Sequence, residues 1–163
     1  MSLQQVILAP SWGRRWSEPG VANEALARRI SRLVGDRREE FLIFAQWEVA
    51  DALSAERIVA DHVVRHPEFA HYITTKHVLH EMCESLRVHG FYRDFQCFLV
   101  THPLHAERCR DIALGLGIPK KQLYGLECEE VYDLGSIHPW TWSRSSYLAY
   151  ESVYRFCAQF LPI

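Results

Sequence analysis

Three short apolar runs constrain this 163-residue chain more than anything else in it. They are Val6-Ile7-Leu8-Ala9, Phe41-Leu42-Ile43-Phe44-Ala45 and the Phe98-Leu99-Val100 end of a stretch from Phe95 to Thr101. A strand with one wet face alternates apolar and polar residues. A run apolar at consecutive positions has both faces covered, as in a parallel sheet between helices. Helical patterns fill the intervals, and a strand–helix alternation of this kind predicts a mostly parallel sheet. The expected architecture is an α/β, three-layer α/β/α Rossmann-like fold with roughly four to five strands in a single domain over residues 1–163.

Asn23 is expected to open the first helix, which buries Leu26, Ile30, Leu33 and Val34 and stops at Gly35. Residues 54–75 read as a helix capped by Ser54. The β-branched Ile58, Val59, Val63 and Val64 leave a short strand as the alternative. Thr74 or Thr75 caps a helix running to about His89, with Val78, Leu79, Met82 and Leu86 inward. After the Phe95 strand comes a helix from His105 to Gly115, then a strand through Gln122-Leu123-Tyr124-Gly125-Leu126. Ser143 caps a final helix whose expected apolar positions are Leu148, Val153, Phe156, Cys157 and Phe160.

Composition narrows the partners. The formal net charge is −2, and the basic cluster Arg28, Arg29, Arg32, Arg37, Arg38 is interleaved with Glu24, Asp36, Glu39 and Glu40. That reads as a solvated helix face, with no nucleic acid expected. No apolar run reaches about 20 residues, so no membrane span is expected. The Met1-Ser2-Leu3-Gln4-Gln5 start has neither the charge nor the apolar stretch of a secretion signal. Five cysteines (83, 97, 109, 128, 157) without a CxxC pair point to reduced thiols and a cytoplasmic location, with Cys97 and Cys157 as small core residues.

Right-handed crossovers place the loops after all the strands at one edge of the sheet. Those loops carry Trp12, Arg14, Arg15, Gln46, Trp47, Glu48, Thr101, His102, His105 and Glu127. In Thr101-His102-Pro103-Leu104-His105-Ala106-Glu107-Arg108 a strand passes straight into a helix, whose first turn offers unpaired N–H groups to an anion. Arg108 adds a bidentate grip and His105 a proton-transfer group. The alternative has Thr101 as a cap, His105 stacked on an aromatic ring, and Arg108 paired with Glu107 or Asp111. Glu48 reads as a base, an acceptor of ribose hydroxyls or a helix cap. Trp12 and Trp47 suit a sandwich around a planar ring, or ordinary packing. Arg14 and Arg15 sit on a loop able to close over an anion, or are simply solvated.

Other chemistries find less support. His77 and His80 precede Glu81, which is not the His-Glu-x-x-His order of zinc hydrolases, and no metal site is expected. GxGxxG, GxxxxGK[ST] and GxSxG are all absent. Cys109 lies close to His105 in sequence, but its spacing with Ile112 and Ala113 is that of a core residue.

The spacing Thr101, His105, Arg108 at a strand-to-helix junction, together with Leu26 and Arg29 in the first helix and a Thr-capped helix before the site strand, resembles the YdcF-like family (the ElyC/SanA/YdcF domain). The chain departs from it in having Ala9-Pro10-Ser11-Trp12-Gly13 and Ala45-Gln46-Trp47-Glu48 where glycines are usual, and Lys76 and His77 where an Asn is common. The resemblance implies a Rossmann-like fold with a small-molecule site at the strand ends. For some members it implies S-adenosylmethionine as a ligand, and for others a role linked to the cell envelope.

The functional expectation is a small-molecule-binding protein for a nucleotide-like or anionic metabolite, with transferase or hydrolase chemistry as its possible reactions. His105 and Glu48 are the catalytic candidates; Trp12, Arg14, Gln46, Trp47, Thr101, His102 and Arg108 are the binding candidates. The rival is a non-catalytic binding or regulatory domain that engages a protein partner through the Trp140 and Trp142 loop.

Overall fold

The computed structural model describes residues 3–65, 73–90 and 95–158. Ten elements alternate as expected: β1 (Gln4–Ala9), α1 (Val21–Val34), β2 (Phe41–Gln46), α2 (Trp47–Ala55), β3 (His62–Val64), α3 (Thr75–Val88), β4 (Phe95–Thr101), α4 (Ala106–Gly115), β5 (Leu123–Glu127) and α5 (Arg144–Ala158). The five strands form one parallel sheet in the order β3-β2-β1-β4-β5. This is a three-layer, Rossmann-like arrangement. The strand order reverses between β1 and β4, and a crevice opens beyond the carboxyl ends of such a pair.

Strand side chains alternate between the two layers. Ile7, Ala9, Ile43 and Ala45 pack with Leu26 and Ile30 of α1 and Val49 and Leu53 of α2. Val6, Leu8, Phe44 and Leu99 pack on the opposite face with Val78, Leu79 and Met82 of α3 and Cys109 and Ala113 of α4. β1, the central strand, is fully buried from Val6 to Ala9, which is why its sequence shows no alternation.

Three local expectations are corrected. The helix opens at Val21, not Asn23, because Gly20 (φ 81) turns the chain and its carbonyl accepts from the N–H groups of Asn23 and Glu24. Between 54 and 65 no helix opened by Ser54 forms. Ser54 lies near the end of α2 and donates to the Ala50 carbonyl. Arg57 at φ 61 breaks the helix, and β-branched Val63 and Val64 enter β3 beside β2. Residues 66–72 of that stretch lie outside the described ones. The third correction is in α5, which presents the opposite face from the one expected. Leu148, Val153, Phe156 and Cys157 are exposed, while Tyr147 and Glu151 are buried. The inward stripe is Tyr147, Tyr150, Glu151 and Tyr154: Arg108 of α4 pairs with Glu151 and lies over the Tyr150 and Tyr154 rings, and the Tyr147 hydroxyl donates to Glu151. Phe160 lies outside the described residues.

Other expectations hold. Thr74 caps α3 by accepting from the His77 N–H at 3.2 Å. Ser143 caps α5 by accepting from the Ser146 N–H at 3.1 Å, and Cys97 is fully buried. Among the described residues, no helix is long and apolar enough to cross a membrane.

Candidate functional site

A cavity of about 60 Å³, open on one side, lies beyond the carboxyl ends of β1, β2 and β4. Each of the four strand-end loops contributes to its wall: Ser11 and Trp12 after β1, Gln46 and Glu48 at the β2–α2 junction, His105 and Arg108 after β4, and His138 and Trp140 from the loop after β5. Thr75 of α3 and Tyr147 and Tyr150 of α5 complete it.

Asn23 shapes the first loop. Fully buried, it accepts from the Trp12 N–H at 2.9 Å and donates to the Gly13 and Pro19 carbonyls at 2.8 and 2.6 Å. Gln46 fastens the loop to β2 by accepting from the Ser11 N–H at 3.0 Å. The Arg15 guanidinium grips buried Asp133 through Nε and Nη2, and the Arg14 carbonyl accepts from Ser136 Oγ and the Ile137 N–H. Gly20 lies so close to that junction that a Cβ would collide with Asp133 Oδ2. Loop 10–20 and loop 131–142 are thus cross-linked into one rim.

Glu48 stands in the first turn of α2 and is 1% exposed. Burial raises its carboxyl from 4.5 to about 7, against the opposing effects of its own N–H, the Arg14 charge and a hydrogen bond from Ser11. A carboxyl that titrates near neutrality inside a cavity is suited to acid–base work.

His105 is buried against the Trp12 ring, with centroids 5.3 Å apart, and its Nε2 lies 2.9 Å from Thr75 Oγ1. Burial first, then the nearby Arg108 and His102, lowers its pKa to about 3. His105 is therefore a neutral imidazole near pH 7, whereas the Glu48 carboxyl changes its charge near that pH.

Arg108 pairs with Glu151, not with Glu107 or Asp111. Its guanidinium lies over the rings of Tyr154 (4.2 Å) and Tyr150 (5.6 Å). Glu151 is in turn held by Tyr147 Oη and Arg155 Nε, each at 3.0 Å. Two buried donors in the wall, Trp12 Nε1 and Arg108 Nε, have no acceptor among the described residues. Buried donors are rarely left this way unless something supplies the acceptor.

Six sequence-selected residues, Arg14, Arg15, Trp47, Thr101, His102 and Glu127, do not line the cavity. His102 is inside the protein, stacked on Trp12 at 4.5 Å and 3°. Its Nε2 donates to the Val131 carbonyl at 2.9 Å and its Nδ1 accepts from the Leu104 N–H at 3.3 Å. It caps the turn at Pro103–His105, so one of the N–H groups expected to meet an anion is already used. Burial lowers the His102 pKa to about 4. Thr101 is buried at the end of β4. Arg14 acts on Glu48 through its charge, which works against the rise of that carboxyl's pKa. Trp47 begins α2 but is not in the wall, so it forms no sandwich with Trp12, whose ring already stacks on His102. Glu127 is exposed, and its carbonyl accepts from Arg29 Nε.

Sequence reasoning passed over Asn23 as a loop anchor, Thr75 as the partner of His105, and the whole contribution of α5. The last was legible as Tyr147, Tyr150, Glu151 and Tyr154, an i, i+3, i+4, i+7 stripe. Cys109 is fully buried and its thiol pKa is pushed well up by burial, which removes support for it as a nucleophile. Among the described residues, no three His, Cys, Asp or Glu side chains are grouped to hold a metal ion.

Fold and cavity together define an α/β protein of the Rossmann-like class with a polar hollow at its topological switch point. No family model, curated protein or solved structure matches the chain.

Proposed function

We propose that this protein binds the acidic end of a small anionic or nucleotide-like metabolite in the cavity, and that Glu48 exchanges a proton with it. The observation that carries the reading is the pair of buried donors, Trp12 Nε1 and Arg108 Nε, in one wall without an acceptor. A phosphate or carboxylate oxygen supplies what they lack. Neutral His105 orients the ligand by hydrogen bonding. Glu48 is the acid–base group of a transfer or hydrolysis reaction. The cavity of about 60 Å³ takes only such a head group, so the rest of a larger ligand lies at the open side.

The spacing of Thr101, His105 and Arg108 supports placing the chain as a divergent YdcF-like protein, and that resemblance makes S-adenosylmethionine the first cofactor to try. The rival reading, partner binding through the Trp-rich loop, draws on the exposure of Trp142. Trp140 belongs instead to the cavity wall, stacked on Tyr150 at 4.6 Å.

A thermal-shift screen with S-adenosylmethionine, nucleotides and sugar phosphates at pH 6 and pH 8 tests the proposal. A ligand of the native state raises the melting temperature by mass action. An anion beside Glu48 favours the protonated carboxyl, so affinity is expected to fall by up to about tenfold per pH unit above 7. Glu48→Gln should flatten that dependence and Arg108→Ala should abolish binding. No response across the panel would favour the rival, to be checked with Trp142→Ala in a partner-capture assay.

A further inference from the structure

We propose that Glu151 sets the charge of the ligand: by holding Arg108 in a salt bridge, it makes the cavity take a singly charged carboxylate and turn away doubly charged anions such as phosphate monoesters. This rests on the reading of the cavity as an anion site and narrows it to one head group. Arg108 is the only arginine or lysine among the described residues of the wall. It does not meet the cavity as a bare cation. Its Nη2 pairs with Glu151, and the two side chains are only 10% and 11% exposed. The Tyr154 ring lies against the guanidinium at 4.2 Å, and Nε has no acceptor among the described residues.

Glu151 is fastened at both oxygens. Tyr147 Oη donates to Oε2 and Arg155 Nε to Oε1, each at 3.0 Å, so the carboxylate is held in place when a ligand arrives. Arg155 also meets Glu107 at 2.8 Å, which leaves much of the Glu151 charge to balance Arg108. The second donor is fixed as well. Trp12 is 4% exposed, its ring stacked on His102 at 4.5 Å and set against Tyr147 at 4.7 Å, and its Nε1 lacks an acceptor.

Charge decides between head groups. Taking an anion out of water costs free energy that rises with the square of its charge. A lone buried arginine would offset that cost for a dianion. An arginine already paired with Glu151 offsets much less, because Glu151 repels what Arg108 attracts. Glu48, in the same wall, adds repulsion whenever it is ionised, and Arg14, outside the wall, counters Glu48. The donors point the same way. Trp12 Nε1 and Arg108 Nε give one hydrogen bond each, which suits the two oxygens of a carboxylate, whereas a phosphate monoester brings three.

Heteronuclear NMR titrations at pH 6 with acetate, methanesulfonate and sulfate test this, read at the Trp12 indole N–H, which Trp12→Phe assigns. Methanesulfonate and sulfate share a tetrahedral shape and differ in charge, so the pair separates charge from shape. Acetate and methanesulfonate should each bind at least tenfold more tightly than sulfate. In Glu151→Gln, sulfate should gain at least tenfold on acetate, a change of ratio that a merely structural role for Glu151 would not produce. If that variant does not fold, the wild-type comparison of methanesulfonate with sulfate decides. Sulfate binding within tenfold of either monoanion would overturn the proposal and leave the anion site standing. So would an unchanged ratio in a folded Glu151→Gln. A Trp12 resonance unmoved by all three would remove the anion site and this proposal with it.

Discussion

Glu48→Gln is expected to stabilise the protein, and to do so only above acidic pH. In the unfolded chain this carboxyl titrates near 4.5; in the fold burial raises it to about 7. Between those values the folded state holds a proton that the unfolded state has released, so stability falls as pH rises. At about 1.4 kcal/mol per pH unit, ionised Glu48 costs the fold about 3 kcal/mol above pH 7. Glutamine keeps the shape and an acceptor for Ser11 without the charge. Urea denaturation of both proteins from pH 4 to pH 8.5 should show curves that nearly coincide at pH 4. They should separate between 4.5 and 7 and then stay about 3 kcal/mol apart with the variant the more stable, a difference of roughly 6–12 °C in melting temperature for a chain of this length. A gap independent of pH, or a variant less stable than wild type at pH 8, would refute the claim that burial governs this carboxyl. On the proposed role of Glu48, the same substitution should also remove acid–base function, a trade of stability for activity.

The two buried histidines act in the opposite sense. Each is neutral in the fold, with its pKa lowered from 6.5 to about 4 for His102 and about 3 for His105, so their contribution is complete above 6.5 and is lost as pH falls through the folded values. His102→Leu should destabilise by about 2–4 kcal/mol at pH 7, because the Val131 carbonyl and the Leu104 N–H lose their partner. It should also reduce the acid-induced loss between pH 6.5 and 4 by about 3 kcal/mol, measured by denaturant titration. Asn23→Ala removes three buried hydrogen bonds and should cost about 2–4 kcal/mol, with faster hydrogen exchange at the Trp12 amide as the local signature.

The sequence by itself determined the layer architecture. Apolar runs such as Phe41 to Ala45 and helical stripes such as Val78, Leu79, Met82 and Leu86 are local patterns, and in these elements local periodicity is enough to say which element forms and which face goes inward. It also marked the loops that meet at the sheet's edge, because a parallel sheet leaves its strand-end loops on one side. Tertiary structure alone decided which side chains enter the cavity. His102 and His105 are three residues apart on one turn, yet His102 turns inward to stack on Trp12 while His105 meets Thr75. α5 chose its inward face by the partners available to Tyr147 and Glu151, not by hydrophobicity, so Leu148, Val153 and Phe156 stayed outside. Periodicity measures how apolar a helical face is. It carries no record of the arginine on another helix that makes a polar face the better one to bury.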